Sequence, residues 1–177
     1  MASGNQVKTD ALSTVYDNEV YPVGTLYVQP ADEVVANGSG VSTTTDYPLL
    51  KGERTWIFIS TSALVPAGAC IMRSSTTDPF VGAENDADGM TPKILLGVAD
   101  HAIASGKYGW VIAAGCCVVE SSVGVAAGHN QDTDGATGNA GSVDTSAGDT
   151  ASGNLGIALE AVGATTAGFV QAYISVL

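Results

Sequence analysis

The chain is 177 residues long and 45% apolar but only 14% charged, with 18 acidic against 6 basic residues and a net charge of −12. That length suits one β-rich domain with or without an extended arm, and the low charge content implies surfaces made of Ser, Thr, Gly and Asn. The acidity argues against a nucleic-acid partner, which needs clustered cations to displace counterions, whereas Lys8, Lys51, Arg54, Arg73, Lys93 and Lys107 are scattered.

Residues 1–20 are polar without a sustained period and read as an extended N-terminal arm. Tyr16 and Val20 are out of keeping with a purely solvated tail, so the arm is expected to dock on something. The folded part, residues 21–177, opens with the turn Tyr21-Pro22-Val23-Gly24 and the strand Thr25 to Val28. Ala31 to Ala36 could form one helical turn, and Asn37 to Asp46 is a polar loop. Trp56-Ile57-Phe58-Ile59 is an aromatic-led strand. Pro66-Ala67-Gly68 turns the chain into Ala69-Cys70-Ile71-Met72, where glycine supplies a positive φ and the apolar residues favour the pleat. Ser74 to Pro92, rich in Asp, Gly, Thr and Pro, reads as a surface loop. Asp100 to Ala104 could be another helical turn, and Trp110-Val111-Ile112 is a second aromatic-led strand. Ala113-Ala114-Gly115 and Val125-Ala126-Ala127-Gly128 read as further glycine turns, the first leading into Cys116-Cys117-Val118-Val119. Residues 129–154 are a low-complexity Gly, Ser, Thr, Asp and Asn stretch of the kind that serves a function or is ordered by a partner. In the closing segment Val170, Ala172, Ile174 and Val176 alternate onto one face of a strand. The fold expected is mostly β, a small barrel-like or sandwich-like domain, with no stretch approaching the ~20 apolar residues of a membrane span.

An internal repeat runs through the second half. Leu96-Gly97-Val98-Ala99, Ala102-Ile103 and Gly109-Trp110-Val111 return as Leu155-Gly156-Ile157-Ala158, Ala161-Val162 and Gly168-Phe169-Val170, every pair offset by 59 residues (155 minus 96). Such a run marks a duplicated β-unit. Trp56 and Trp110, each four residues after a glycine and 54 apart (110 minus 56), extend the repeat toward residue 52.

Catalytic and metal signatures do not accompany it. Cys70, Cys116 and Cys117 are an odd set without a secretory leader, so reduced thiols made in a cytosol are expected, and adjacent Cys116 and Cys117 point to opposite faces of a strand. Glu84-Asn85-Asp86-Ala87-Asp88-Gly89 matches the first half of an EF-hand loop, but Leu95 stands where the bidentate Glu belongs. Asp132-Thr133-Asp134-Gly135 matches less well. His101 and His129 lack zinc-ligand spacing, and a Cys–His pair would have to be assembled in space. Glu120 and Glu160 could serve as an acid–base pair only by virtue of being carboxylates. Gly97 and Gly156 read as strand glycines at a bulge or close backbone approach. No metal, cofactor or enzymatic activity is expected.

From Tyr21 onward, and best from Ala63 to Leu177, the chain resembles the small capsid cement (head-decoration) proteins of tailed bacteriophages. The likeness lies in the turns Pro66-Ala67-Gly68 and Ala113-Ala114-Gly115, in Leu96-Gly97-Val98-Ala99 followed by Ala102, and most in Asn154-Leu155-Gly156-Ile157-Ala158-Leu159-Glu160-Ala161 before a terminal strand. The resemblance implies a small β-barrel-like domain, usually a homotrimer, on the outer surface of an icosahedral virion. There it clamps neighbouring subunits of the major capsid protein, with no chemistry, cofactor, nucleic acid or membrane. Val7, Leu12, Val15, Tyr16 and Val20, the apolar residues of the arm, are the candidate capsid contacts. A second reading is a tail or fibre module whose glycine-rich loop binds a host glycan.

Overall fold

The computed structural model describes residues 12–31, 52–84, 94–121, 130–133, 143–144, 154–160 and 168–176. Ten strands are described: β1 (Leu26–Gln29), β2 (Arg54–Thr61), β3 (Cys70–Arg73), β4 (Val81–Glu84), β5 (Leu95–Val98), β6 (Tyr108–Ser121), β7 (Asn130–Thr133), β8 (Val143–Asp144), β9 (Asn154–Ala158) and β10 (Gly168–Ser175). The fold is mostly β, as the short β-branched and aromatic runs between glycine turns dictate.

Hydrogen bonding closes the sheet on itself. β2, β4, β3, β5 and β6 follow one another, and an antiparallel β2–β6 pairing completes a five-stranded ring. β6, β10, β9, β7 and β8 then form a second ring, completed by the parallel pair Ser121 and Val143. Closure removes the unpaired edges that an open sheet would leave. β6 belongs to both rings, which is why it is 14 residues long.

The two rings are copies of one plan. In ring 1, Ile71 pairs with Gly97 and Met72 with Leu95, so a bulge leaves Leu96 unpaired. In ring 2, Gln131 pairs with Gly156 and Asp132 with Asn154, so the same bulge leaves Leu155 unpaired. Both leucines are buried. Ring 1 closes with Thr61 beside Gly82, and ring 2 with Ser121 beside Val143, 60 and 61 residues later (121 minus 61, 143 minus 82). The duplicated unit is therefore a whole five-stranded ring. The Trp56–Trp110 correspondence is corrected by this offset, which sets Trp56 against Cys116 of β6 (56 plus 60), although ring 1 does begin near residue 52, with β2. One register differs between copies. Val98 pairs with Ile112 and Ile157 with Tyr173, so β10 is displaced by two residues from the sequence match. A two-residue slip keeps inward residues inward, because side chains alternate with period two.

Gly97 and Gly156 have the same reason to be glycine. A Cβ on Gly97 would fall on the carbonyl oxygen of Ile112, and one on Gly156 on that of Tyr173. The neighbouring strand comes this close only because no side chain intervenes.

Two apolar clusters fill the molecule. Ile57, Ile59, Ile71, Leu96, Val111 and Ala113 occupy the interior of ring 1. The other cluster joins the outer face of ring 1 (Trp56, Phe58, Trp110, Ile112) to Cys117, Val119, Leu155, Val170, Ala172 and Ile174 of ring 2.

Several sequence expectations are corrected. Ala113-Ala114-Gly115 is no turn but the middle of β6, where Gly115 takes φ 110° and lies against the Glu53 carbonyl. The stretch Ser74 to Pro92 contributes β4, and 129–154 contributes β7 and β8, whose polar sequences hide their pairing. Asp100 to Ala104 is not helical: Ile103 pairs with Val65 as an isolated bridge. The expected turns at 125–128 and 31–36 fall, except for Ala31, outside the described residues.

Candidate interaction surface

The described part of the arm lies on the outer face of ring 1. Tyr16 makes a two-way backbone bridge with Tyr108: its N–H donates to the Tyr108 carbonyl at 2.9 Å, and the Tyr108 N–H donates back at 3.0 Å. Its ring meets Phe58 edge-on at 5.8 Å and Tyr21 at 6.2 Å. Tyr21 in turn sits 5.3 Å from both Phe58 and Trp110, and Tyr27 lies 6.3 Å from Trp110. Tilted and edge-to-face contacts of this kind set a positive ring edge against a negative face. Farther along, Trp56 Nε1–H donates to Gln29 Oε1 at 2.9 Å, tying β1 to β2 through a buried bond. Lys107 Nζ pairs with Asp17 at 2.8 Å and holds that carboxyl below its ordinary range, though the pair is solvent-exposed and contributes little.

Of the candidate contacts, Leu12 is 3% exposed and belongs to the chain's own core. Tyr16 is half-buried in the aromatic group. Val15 and Val20 face solvent at 38% and 49% exposure. Val7 lies outside the described residues.

Of the titratable groups singled out by sequence, Cys70 and Cys117 share one buried cluster. Burial pushes the Cys70 thiol up to about 12 and raises that of Cys117 as well, so both stay protonated at neutral pH. Arg54, Asp100 and Cys70 all lie close enough to act on Cys117 electrostatically. Burial pulls His101 down to about 4, which keeps it neutral beside Gly109. Glu160 is held by Gln171, whose backbone N–H and Nε2 donate to its two oxygens at 2.8 and 2.9 Å. Glu120 stands opposite Phe169 instead. Glu84 ends β4, and Asp132 pairs in register with Asp144. No group of three metal-ligating side chains occurs among the described residues.

Among the exposed apolar side chains of the described residues, Leu26 and Val28 lie on β1 and Leu64 precedes β3, and two further features stand out. An open cleft of about 210 Å³ is lined by Ile57, Phe80, Ile94, Leu96 and Val176, with Arg73 beside them. The Arg73 guanidinium is bound to the Ser75 and Thr76 carbonyls of its own loop, so the cleft lacks the convergent polar groups that orient a small ligand. The other feature is on ring 2. Ile157, Phe169 and Tyr173 are 46%, 39% and 51% exposed, and Ile157 and Tyr173 are cross-strand partners. Residues 108–177 hold six acidic residues (Glu120, Asp132, Asp134, Asp144, Asp149, Glu160) and neither Lys nor Arg, a net charge of −6. The alternation that sets Val170, Ala172 and Ile174 inward leaves Phe169 and Tyr173 on the opposite face, and sheet pairing adds Ile157 beside Tyr173.

No protein-family model and no curated protein matches the chain. Among solved structures, the head fibre gp8.5 N base of bacteriophage phi29 aligns over 68% of this chain and 92% of its own, at 21% identity and a TM-score of 0.46. Superposition and identity at these levels carry no functional argument.

Proposed function

We propose that the protein is a structural component of a tailed-phage virion. It is a cement protein that binds the outside of the icosahedral shell and clamps adjacent major capsid subunits, without catalysis or cofactor. The carrying observation is that Ile157 and Tyr173, cross-strand partners, stay exposed on β9 and β10, strands that contain neither Lys nor Arg. These strands form the segment on which the resemblance to cement proteins rests most heavily. An exposed apolar pair on an acidic chain suits a protein partner and repels nucleic acid, so the outside of a shell fits better than its DNA-lined interior. Trimerisation and the use of Val15 and Val20 as further contacts belong to this reading.

The test is co-sedimentation of the purified protein with expanded capsids that lack it. Saturable binding at a fixed ratio to the major capsid protein, with raised capsid resistance to heat, is the expected result. Absence of binding to capsids overturns the reading; attachment to host cells in its place would move the protein to a tail or fibre module that recognises a glycan.

A further inference from the structure

His101 is 9% exposed, and both its Nδ1 and its Nε2 are sealed from solvent without a hydrogen-bond partner among the described residues. A neutral imidazole holds one N–H to donate and one lone pair to fill, so both demands go unmet. The ring lies against β6 where a side chain is missing: Nε2 is 3.6 Å from the point that a Cβ on Gly109 would occupy. The duplication supplies the comparison. The residue 59 positions on is Glu160 (160 minus 101). There both carboxylate oxygens accept bonds from Gln171, which clasps the chain after β9 to β10. Ring 1 thus carries an ionisable group at the point where ring 2 carries a clasp, and gives it nothing to hold.

The span around His101 is pinned at both ends to one neighbouring stretch. Gly68 N–H donates to the Ala99 carbonyl at 2.7 Å, and Ala99 N–H donates to the Ala69 carbonyl at 3.0 Å. Ile103 and Val65 bond each other in both directions, at 2.8 and 2.9 Å. The next turn is fastened elsewhere, by the Thr61 hydroxyl donating to the Ala104 and Lys107 carbonyls. Residues 99–103 can therefore part from 65–69 without disturbing β5 or that turn. The charged groups of the adjoining chain are Asp100, which acts on Cys117, and Lys107, which pairs with Asp17. Tyr108 stacks its ring on Phe58. None of them sets the state of His101, which burial holds neutral down to about 4.

We propose that His101 is an acid-operated latch on ring 1: its protonation frees residues 99–103 from 65–69 and opens that end of the ring while ring 2 stays closed. An imidazolium needs acceptors for two N–H groups and water or a counter-charge, and the closed site offers neither, so the proton goes on as the span opens. The open form takes a proton near 6.5, and the closed form refuses it until about 4. The opening constant therefore rises about tenfold for each pH unit lost between those values. The latch is a property of this chain and does not depend on the cement reading.

Amide hydrogen exchange of the full chain, followed by NMR as pH falls from about 7 to about 4.5, tests it. The expected result is that protection of the Val65 and Ile103 amides falls about tenfold per pH unit below 6.5, while β10 does not follow. His101→Gln abolishes the fall. Constant protection in wild type, an equal fall in β10, or the same fall in His101→Gln overturns the latch. Should that variant fold poorly, the wild-type imidazole resonances replace it: a midpoint well below 6.5 supports the latch, and one near 6.5 overturns it.

Discussion

Replacing Gly97 and Gly156 separately by alanine tests whether close strand approach holds both rings closed. At Gly97 two costs combine. The new Cβ meets the Ile112 carbonyl oxygen and carbon, backbone atoms that can move only if β5 and β6 part. Forcing extra volume into a packed site costs about 1–3 kcal/mol. The φ of +148° adds about 1–3 kcal/mol of backbone strain for a residue with a Cβ. Gly156 meets the Tyr173 carbonyl in the same way but has no positive φ, so only the crowding cost applies. Gly106, at φ 71° with open space around it, isolates the backbone cost at about 1–2 kcal/mol. Urea unfolding should therefore rank the variants G97A, with a loss of about 2–6 kcal/mol, above both G156A and G106A. For a chain of this size each kcal/mol lowers Tm by about 2–4 °C. If G156A unfolds at the wild-type urea concentration, the close approach is not a constraint on ring 2. If G106A costs as much as G97A, backbone strain alone accounts for Gly97.

Other outcomes follow from named contacts. Leu12→Ala should cost about 2–5 kcal/mol by urea titration, as for a buried leucine, whereas Val15→Ser and Val20→Ser should stay within about 0.5 kcal/mol. Deleting residues 1–20 should therefore lower Tm by removing buried Leu12 and the Tyr16 contact with Phe58, whatever it does to capsid binding; an unchanged Tm would refute the docked arm. Trp56→Phe removes the buried hydrogen bond to the Gln29 amide oxygen and should cost about 1–3 kcal/mol. A cost below 0.5 kcal/mol, on the same scale, would show that the bond is replaced by water. His101 is neutral in the folded state down to about pH 4 but takes a proton near 6.5 when unfolded. The unfolded chain therefore binds more protons between those values, and His101 contributes stability above 6.5 that is lost as pH falls toward 4. His101→Gln should flatten this part of the stability–pH curve relative to wild type; parallel curves would refute the assignment. In the native protein a thiol reagent should label Cys116, which is half-exposed, and spare Cys70 and Cys117 until unfolding.

Much of the architecture was legible because it depends on local rules. β-branched and aromatic runs between glycine turns make strands wherever they occur, and alternation assigned Val170, Ala172 and Ile174 to the buried face, where they lie. The 59-residue repeat was legible for the same reason: Leu96-Gly97 and Leu155-Gly156 answer one steric demand, a bulge beside a carbonyl that tolerates no Cβ. β7 and β8 were not legible, since Asn-Gln-Asp-Thr and Val-Asp earn their strand character from the neighbours that pair with them. Gly115 reads as a turn by composition and becomes a bend within a continuous strand only because two rings share β6. The candidate surface divides likewise. Tyr16 and Leu12 looked available to a partner, but an apolar side chain goes to the nearest uncovered apolar face, and Phe58 and Trp110 supply one within the same chain. Alternation already sets Tyr173 on the face opposite Val170, Ala172 and Ile174, but only the pairing of β9 with β10 brings Ile157 beside it on that exposed face. Composition and periodicity thus determined the strands, the repeat and the acidic surface. Which face of each ring is covered depends on long-range packing, which local sequence does not encode.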